Sequence, residues 1–512
     1  MVLNQPFESR LVSIIDVIRK LFAWEKRSSG ESTMPRNLAF LYLSLFLVTV
    51  STVSATGQEQ VHLAMGLRVG EVTQSSAIVW SRVTAQPKRV WPGERRVGRA
   101  GKKTDEYTEK INVDGLEGAV PGTLGQLQLT WSQHEDYSNS RVSKWVSVRA
   151  KQDFTHQFVL SDLKPATKYY LLIKARPAGS EKTAATAQIK GSFTTAAPAS
   201  QWQDVNFSVI TGQAYRDLDD KDGFLIYDAM ARQNLHFLTP TGDTVYYDSE
   251  KPRARTLALA RHHWHRMYSM PRVVKFHQHV PGYWEKDDHD TYNNDGWPGQ
   301  SVPWMKPFTF EQGLATFLEQ VPIGKQTYRT MRWGQGLQVW MVEGRDFRSP
   351  NNMPDGPGKT IWGKEQMAWL KKTVAESDAK FRVLISPTPI VGPDRGKKND
   401  NHANQGFTHE GDLVRAWGGA IENFYVCCGD RHWQYMSIDP KTKLREFSCG
   451  PVSNEHAGGS PGHDPKVQPF HRVKGGYLSV SVFQEKNQPT IAFRFHNVQG
   501  EVVYEFKDIS QR

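Results

Sequence analysis

Beyond residue 204 the chain returns repeatedly to short apolar runs with few polar interruptions: LQVWMV (337–342), FRVLIS (381–386) and NFYVCC (423–428), preceded by VNFSVI (205–210) and HFLTP (236–240). A strand with one wet face alternates between apolar and polar residues. A run that does not alternate needs cover on both faces. Stretches with helical spacing separate the runs, GFLIYDAMARQ (223–233) and KEQMAWLKKTVAES (364–377), and in the second Met367, Leu370 and Val374 share one face. Strand and helix alternating in this way predict an α/β domain of layered sheets flanked by helices. The closing segments YLSVSVF, TIAFRFHN and VVYEFK predict three antiparallel strands that complete a sheet.

The region from Val61 to about Pro198 carries a different period. LRVGEVTQSSAIVWSRV alternates around Ile78 and Trp80, LQLTW puts Leu127, Leu129 and Trp131 on one face, and FVLSDLKPATKYYLLIKA reads as two strands about a turn. A small all-β sandwich is expected, and Leu163, Pro165, Thr167 and Tyr169 resemble the corner of fibronectin III-like modules. The Ala/Ser/Pro stretch TTAAPASQWQD places the boundary near Ala199, giving a sandwich over 56–198 and an α/β domain over 199–512. Upstream, Arg36, the apolar stretch Leu38–Val50 and the small residues Val53-Ser54-Ala55 form a secretory signal pattern over 34–55, so a secreted or periplasmic product is expected. Its apolar core is shorter than the roughly 20 residues a spanning helix needs, so no membrane span is expected after cleavage. Residues 1–33 precede a complete signal and are an upstream extension without assigned structure.

Lysine and arginine exceed the acidic residues by 11, which favours anionic partners without choosing among them. No nucleic-acid-binding module accompanies the excess. The run 88–103 concentrates basic residues against Glu94 alone, as a solvated loop or a polyanion-binding arm. Three cysteines, Cys427, Cys428 and Cys449, are too few for a disulfide framework, and the first two read as buried thiols on a strand. The His262/His265 pair, one helical turn apart, fits either metal binding or packing on a helix face.

Polar clusters fall where the predicted strands end: Thr211-Gly212-Gln213, Gly242-Asp243, Arg345, and Gly429-Asp430-Arg431-His432. Ligands of α/β sheets bind outside the carboxyl ends of strands, so these segments are expected to meet in one crevice. A further acidic segment, WEKDDHDTYNND (284–295), carries Asp288, His289 and Asn294. Asp243, Asp288, Asp430 and His432 together offer oxygen and nitrogen donors for a pair of cations such as iron, manganese, zinc or calcium. The glycine before Asp243 and before Asp430 lets the backbone turn so that the carboxylate points at an ion. Arg345 is the candidate anion clamp, its planar fork matching phosphate, and His289 the candidate general acid. Gln213, Asn294 and His402 are candidate substrate contacts. His402, His456 and His463 lie in Gly/Asn-rich loops expected at the pocket mouth.

Taken in order, TGDTVYYD, DDHDTYNN, VEGRDFR, the WGKEQMAWLKKTVAESDAKFRVLISPTPI helix and strand, and CCGDRHWQYMSID resemble the blocks of the PhoD-like alkaline phosphatase D family, within the calcineurin-like metallophosphoesterases. The resemblance extends from about Asp204 to Lys507, and the sandwich is similar to the family's N-terminal domain. It implies a layered double β-sheet sandwich flanked by helices and two or more metal ions, with iron accompanied by calcium. Asp243 would bridge the metals, Tyr246 would be a phenolate ligand to ferric iron, and Asp288, Asp430 and His432 would be further ligands. Hydrolysis of phosphomonoesters or phosphodiesters, small or polymeric, through metal-bound hydroxide follows as the expected activity. A sulfate- or phosphonate-ester hydrolase on the same scaffold, or a non-catalytic polyanion-binding surface protein, are the alternatives.

The sequence departs from that family at two positions. Gly212 stands where the best-known branch has a cysteine whose thiolate binds iron, so manganese or zinc enter as alternatives, with Asp217, Asp219, Asp220 and Asp222 close by as compensating ligands or as loop and cap residues. Lys286 stands where an aromatic residue is common, which is expected to alter the pocket wall.

Overall fold

The apolar runs pair as parallel neighbours. In the computed structural model, which describes residues 60–101, 111–179 and 185–510, Leu337–Met341, Phe381–Ser386, Phe424–Cys428 and Arg445–Cys449 run parallel at the centre of a seven-stranded sheet. Antiparallel strands Arg329–Trp333, Gln434–Ile438 and Phe470–Arg472 complete it. A five-stranded sheet faces it, built from Phe237–Pro240 and Val205–Ile210 in parallel, then the antiparallel series Gly476–Glu485, Gln488–Asn497 and Val502–Ile509. The closing strands are therefore the ones expected from their sequence.

The two sheets bury their inner faces against each other, with Phe447 stacked on Phe493 at 3.9 Å between ring centres. Helices Gly363–Ala375 and Thr408–Gly419 cover the outer face of the larger sheet, where Leu370, Val374 and Val414 meet Leu384 and Val426. Helices Ile226–Ala231, Leu257–Tyr268, Pro271–His277 and Phe310–Gln320 enclose a second apolar layer over Ile210 and Leu238. Both faces of the central strands are thus covered, which is why their sequences do not alternate. The first helix is shorter than the run 223–233 from which it was expected.

The N-terminal region is the expected all-β sandwich. Leu67–Gly70, Ala77–Arg82 and Thr155–Leu160 form one sheet. Gly125–Ser132, Lys168–Pro177 and Ala187–Thr194 form the other, with short strands Arg141–Val142 and Val146–Val148 at its side. The Tyr169 hydroxyl oxygen accepts the Lys164 backbone N–H at 2.8 Å, closing the corner read from Leu163 to Tyr169.

This sandwich is joined to the α/β layers by backbone. The Pro281-Gly282-Tyr283 segment threads between them: Gly282 N–H donates to Val69 O at 2.8 Å, and Leu238 N–H donates to Pro281 O at 2.8 Å. The fully buried Arg68 donates to Gln320 O, and Trp80 Nε1 to Glu319 O. Residues Gln60–Arg512 accordingly form one compact unit, and Ala196 and Ala197 at the sequence boundary are buried.

Cys427 points into the inter-sheet core and Cys428 to the opposite side, each held as a neutral thiol by burial. His265 bonds Asp153 at 2.5 Å and His262 is buried on the same helix, so that pair packs rather than gathers ligands. Among the described residues no helix is long and apolar enough to cross a membrane, and the signal-like segment lies outside them.

Candidate active site

The strands Val205–Ile210, Phe237–Pro240 and Phe424–Cys428 deliver their carboxyl ends to one place. There Gln213 N–H donates to Asp243 O at 2.8 Å, and the Thr211 hydroxyl donates to Gly242 O and accepts from the Asp430 N–H, both at 3.3 Å. Gly242, at φ +96°, is required for more than a turn. A Cβ built there would stand 2.4 Å from the Asp287 nitrogen, so the absent side chain is what lets the Asp243 and Asp288 segments touch. Asp243 and Asp430 themselves sit at φ 53° and 58°, left-handed conformations unusual away from glycine.

Asp243, Asp288 and His289 each offer a donor atom within 4.8 Å of the others. The Tyr246 hydroxyl lies 3.2 Å from Asp243 Oδ2, and His432 Nε2 lies 4.0 Å from the same oxygen. Asp430 packs against the Arg431 guanidinium. Burial drives the Asp243 carboxyl well above the usual carboxylate range, and the neighbouring Asp288, Asp287 and Asp290 add to the shift against the opposing His289. Burial acts on Asp288 in the same direction, but Arg345, His289 and the Asp295 N–H outweigh it and hold that carboxyl low. His289 donates from Nδ1 to Asp248 Oδ1 at 2.5 Å; burial lowers its pKa, yet Asp248, Asp288 and Asp243 together carry it well above the ordinary histidine value.

Buried carboxylates in this number call for a cation. Asp243 Oδ1 is buried without a hydrogen-bond partner and so is free for an ion, whereas Asp430 Oδ2 meets the Arg431 guanidinium. Carboxylate, phenol and imidazole donors around this orphaned oxygen are of the kinds that hold metal ions.

Several expected site residues lie elsewhere. Arg345 is fully buried, its Nε 2.5 Å from Asp287 Oδ1 and its Nη2 3.8 Å from Asp288 Oδ2. Its Nε is engaged by Asp287, while Nη2, beside Asp288, is buried without a hydrogen-bond partner. His402 does not reach the pocket mouth: it is fully buried, bonded to Glu410 at 2.9 Å and set edge-on to Trp362. Gln213 is also buried, its side-chain oxygen accepting from the Tyr227 hydroxyl at 2.5 Å, so it holds Asp243 in place instead of contacting substrate. Lys286 forms no wall; its ammonium is buried between Glu343 at 2.8 Å and Asp346 at 2.7 Å. Asn294 is exposed beside the crevice, its N–H donating to Asp248.

Two residues enter the site in unexpected roles. His456, assigned from the sequence to the pocket mouth, accepts the Tyr246 hydroxyl at Nε2 (2.8 Å) and donates from Nδ1 to Asp217 (2.7 Å). Asp248 orients His289. Asp219 and Asp220, by contrast, cap Leu225 N–H and pair with Arg272. The histidine within SNEHAGG has the same loop chemistry as His402 and His463, and no local period separates it from them. Asp248 lies five residues after Asp243 within TGDTVYYD, where a second carboxylate was the available signal.

A double-sheet α/β fold with buried carboxylates, a phenol and imidazoles at its strand ends defines a metallophosphoesterase-type architecture. Comparison with known proteins narrows this. The PhoD-like phosphatase family matches residues 207–508, and the family's N-terminal domain matches 49–197. The chain belongs to the PhoD-like phosphatase family and is a phosphoester hydrolase. Alkaline phosphatase D of Bacillus subtilis (strain 168) is 23% identical over 471 residues, covering 79% of this chain and 70% of its own. The solved structure of PhoD superposes with a TM-score of 0.68 at 16% identity, over 90% of this chain and 92% of that one. A purple acid phosphatase from yellow lupin (Lupinus luteus) seeds gives 0.58 at 10% identity, over 86% and 73%.

Proposed function

We propose that this chain is an exported, metal-dependent phosphoesterase that hydrolyses phosphomonoesters or phosphodiesters. The observation that carries the proposal is the buried Asp243, with one oxygen unpartnered and Asp288, His289 and Tyr246 around it. Asp243, Tyr246, Asp288, Asp430 and His432 would hold the metal ions, iron with calcium or else manganese or zinc. When bound, such ions polarise phosphoryl oxygens and make water a competent nucleophile near neutral pH.

The chain's own groups do the rest. His289 has Nδ1 engaged by Asp248, which leaves Nε2 as the atom that donates a proton to the departing ester oxygen. Arg345 and the Asp295 N–H keep Asp288 ionised and fixed. The exposed Asn294 supplies a polar contact at the rim. The apolar stretch before Val53-Ser54-Ala55 supports export.

The test is hydrolysis of an aryl phosphomonoester and a bis-aryl phosphodiester by protein reconstituted with iron plus calcium, manganese or zinc, beside Asp243→Ala. Turnover that disappears in the variant is expected. Turnover equal in both proteins, or absent with every metal on both esters, refutes the reading.

A further inference from the structure

The space left by Gly212 has an occupant. A Cβ built on Gly212 would lie 3.2 Å from Cδ2 of His456, so a side chain at 212 and the imidazole of 456 compete for the same volume. The imidazole comes from a loop far along the chain, is buried, and is held from behind by Asp217. Asp217 engages Nδ1 at 2.7 Å, where the Arg216 guanidinium also approaches at 3.3 Å, and Nε2 faces the Tyr246 hydroxyl. A carboxylate behind a histidine is the arrangement that fixes the tautomer and turn of metal-binding imidazoles.

The spacing of the donor atoms carries the argument further. His456 Nε2 lies 2.8 Å from Tyr246 Oη, which lies 3.2 Å from Asp243 Oδ2. Two donors that each stand about 2.1 Å from one ion are roughly 3 Å or a little more apart, and these contacts have that spacing. His432 adds a second ring, 4.1 Å from that of His456 between centres, with its Nε2 directed at the same Asp243 oxygen. Tyr246 thus stands between His456 and Asp243, with the His432 ring beside them.

We infer that His456, oriented by Asp217, is a metal ligand of this chain. The inference rests on the metal-dependent reading above and specifies it. The site would then hold its ion through oxygen donors and two imidazoles.

The experiment loads the full chain, stripped of metal, with ferric iron. Bound metal per chain, affinity by chelator competition and histidine-nitrogen hyperfine couplings are read for wild type, His456→Ala, His456→Gln and Asp217→Asn. The glutamine variant keeps the side-chain bulk if the alanine variant does not fold. Wild type is expected to show two histidine nitrogens on the ion and the His456 variants one. Removing the carboxylate behind His456 in Asp217→Asn is expected to weaken binding roughly 10–100-fold, and loss of His456 to weaken it by more. Variants at 456 that bind iron within threefold of wild type, with unchanged nitrogen couplings, overturn the assignment while the metal-dependent reading stands. A wild-type chain that takes up no iron, manganese or zinc yet hydrolyses phosphate esters overturns both.

Discussion

Gly242→Ala tests how the two acidic segments are held together. The backbone at 242 has φ +96°, where an L side chain costs about 1–2 kcal/mol. The added methyl would stand 2.4 Å from Asp287 N and 2.5 Å from Asp287 Cβ, against an ordinary contact distance near 3.5 Å, so the 286–288 backbone must retreat by about 1 Å. Overpacking of this kind adds about 1–3 kcal/mol, for a total of about 2–5 kcal/mol. The retreat carries Asp288 and His289 away from Asp243, and a misplacement of about 1 Å at a reacting centre costs on the order of 100-fold in rate. The assay is kcat on an aryl phosphate at saturating metal, with urea unfolding followed by circular dichroism. A variant that retains wild-type unfolding and kcat within threefold would refute the close approach as the reason for glycine here.

Three further outcomes are expected. Asp248→Asn removes the leading charge that lifts the His289 pKa, so the alkaline limb of the kcat profile moves to lower pH; an unmoved limb excludes His289 as the acid. Lys286→Met leaves Glu343 and Asp346 without their buried counter-ion and lowers stability by about 3–5 kcal/mol in denaturant titrations, with a loss below 1 kcal/mol counting against a tight internal pair. His402→Ala breaks the bond to Glu410 and costs about 1–3 kcal/mol of stability, while relative rates on monoester and diester stay at wild-type values.

The strand ends and the α/β layering were legible because they follow from local signals, unbroken apolar runs and order along the chain, while the double-sheet architecture came with the resemblance. What was not legible depends on partners distant in sequence. Arg345 and Lys286 have the chemistry of pocket residues, yet the fold buries them against Asp287 and Glu343. His402 and His456 occupy loops of the same composition. Only the fold sends one to Glu410 and the other to Tyr246, a residue 210 positions away. The Ala/Pro-rich boundary near Ala199 marks a change of period in the chain, but the structure packs it into a continuous unit.

The threading of Pro281-Gly282-Tyr283 between sandwich and α/β layers bears on the order in which the molecule assembles. Strand Leu67–Gly70 is made early, yet its neighbour Gly282 and the carbonyl that satisfies the Arg68 guanidinium, on Gln320, are made some 200 residues later or more. Until that stretch has left the ribosome, the sandwich holds an unpaired strand edge and a cation without its acceptor. The sandwich is therefore expected to complete its packing only once that stretch has been made. A nascent chain halted before Gln320 is expected to engage chaperones, whereas one extended past it can close the edge.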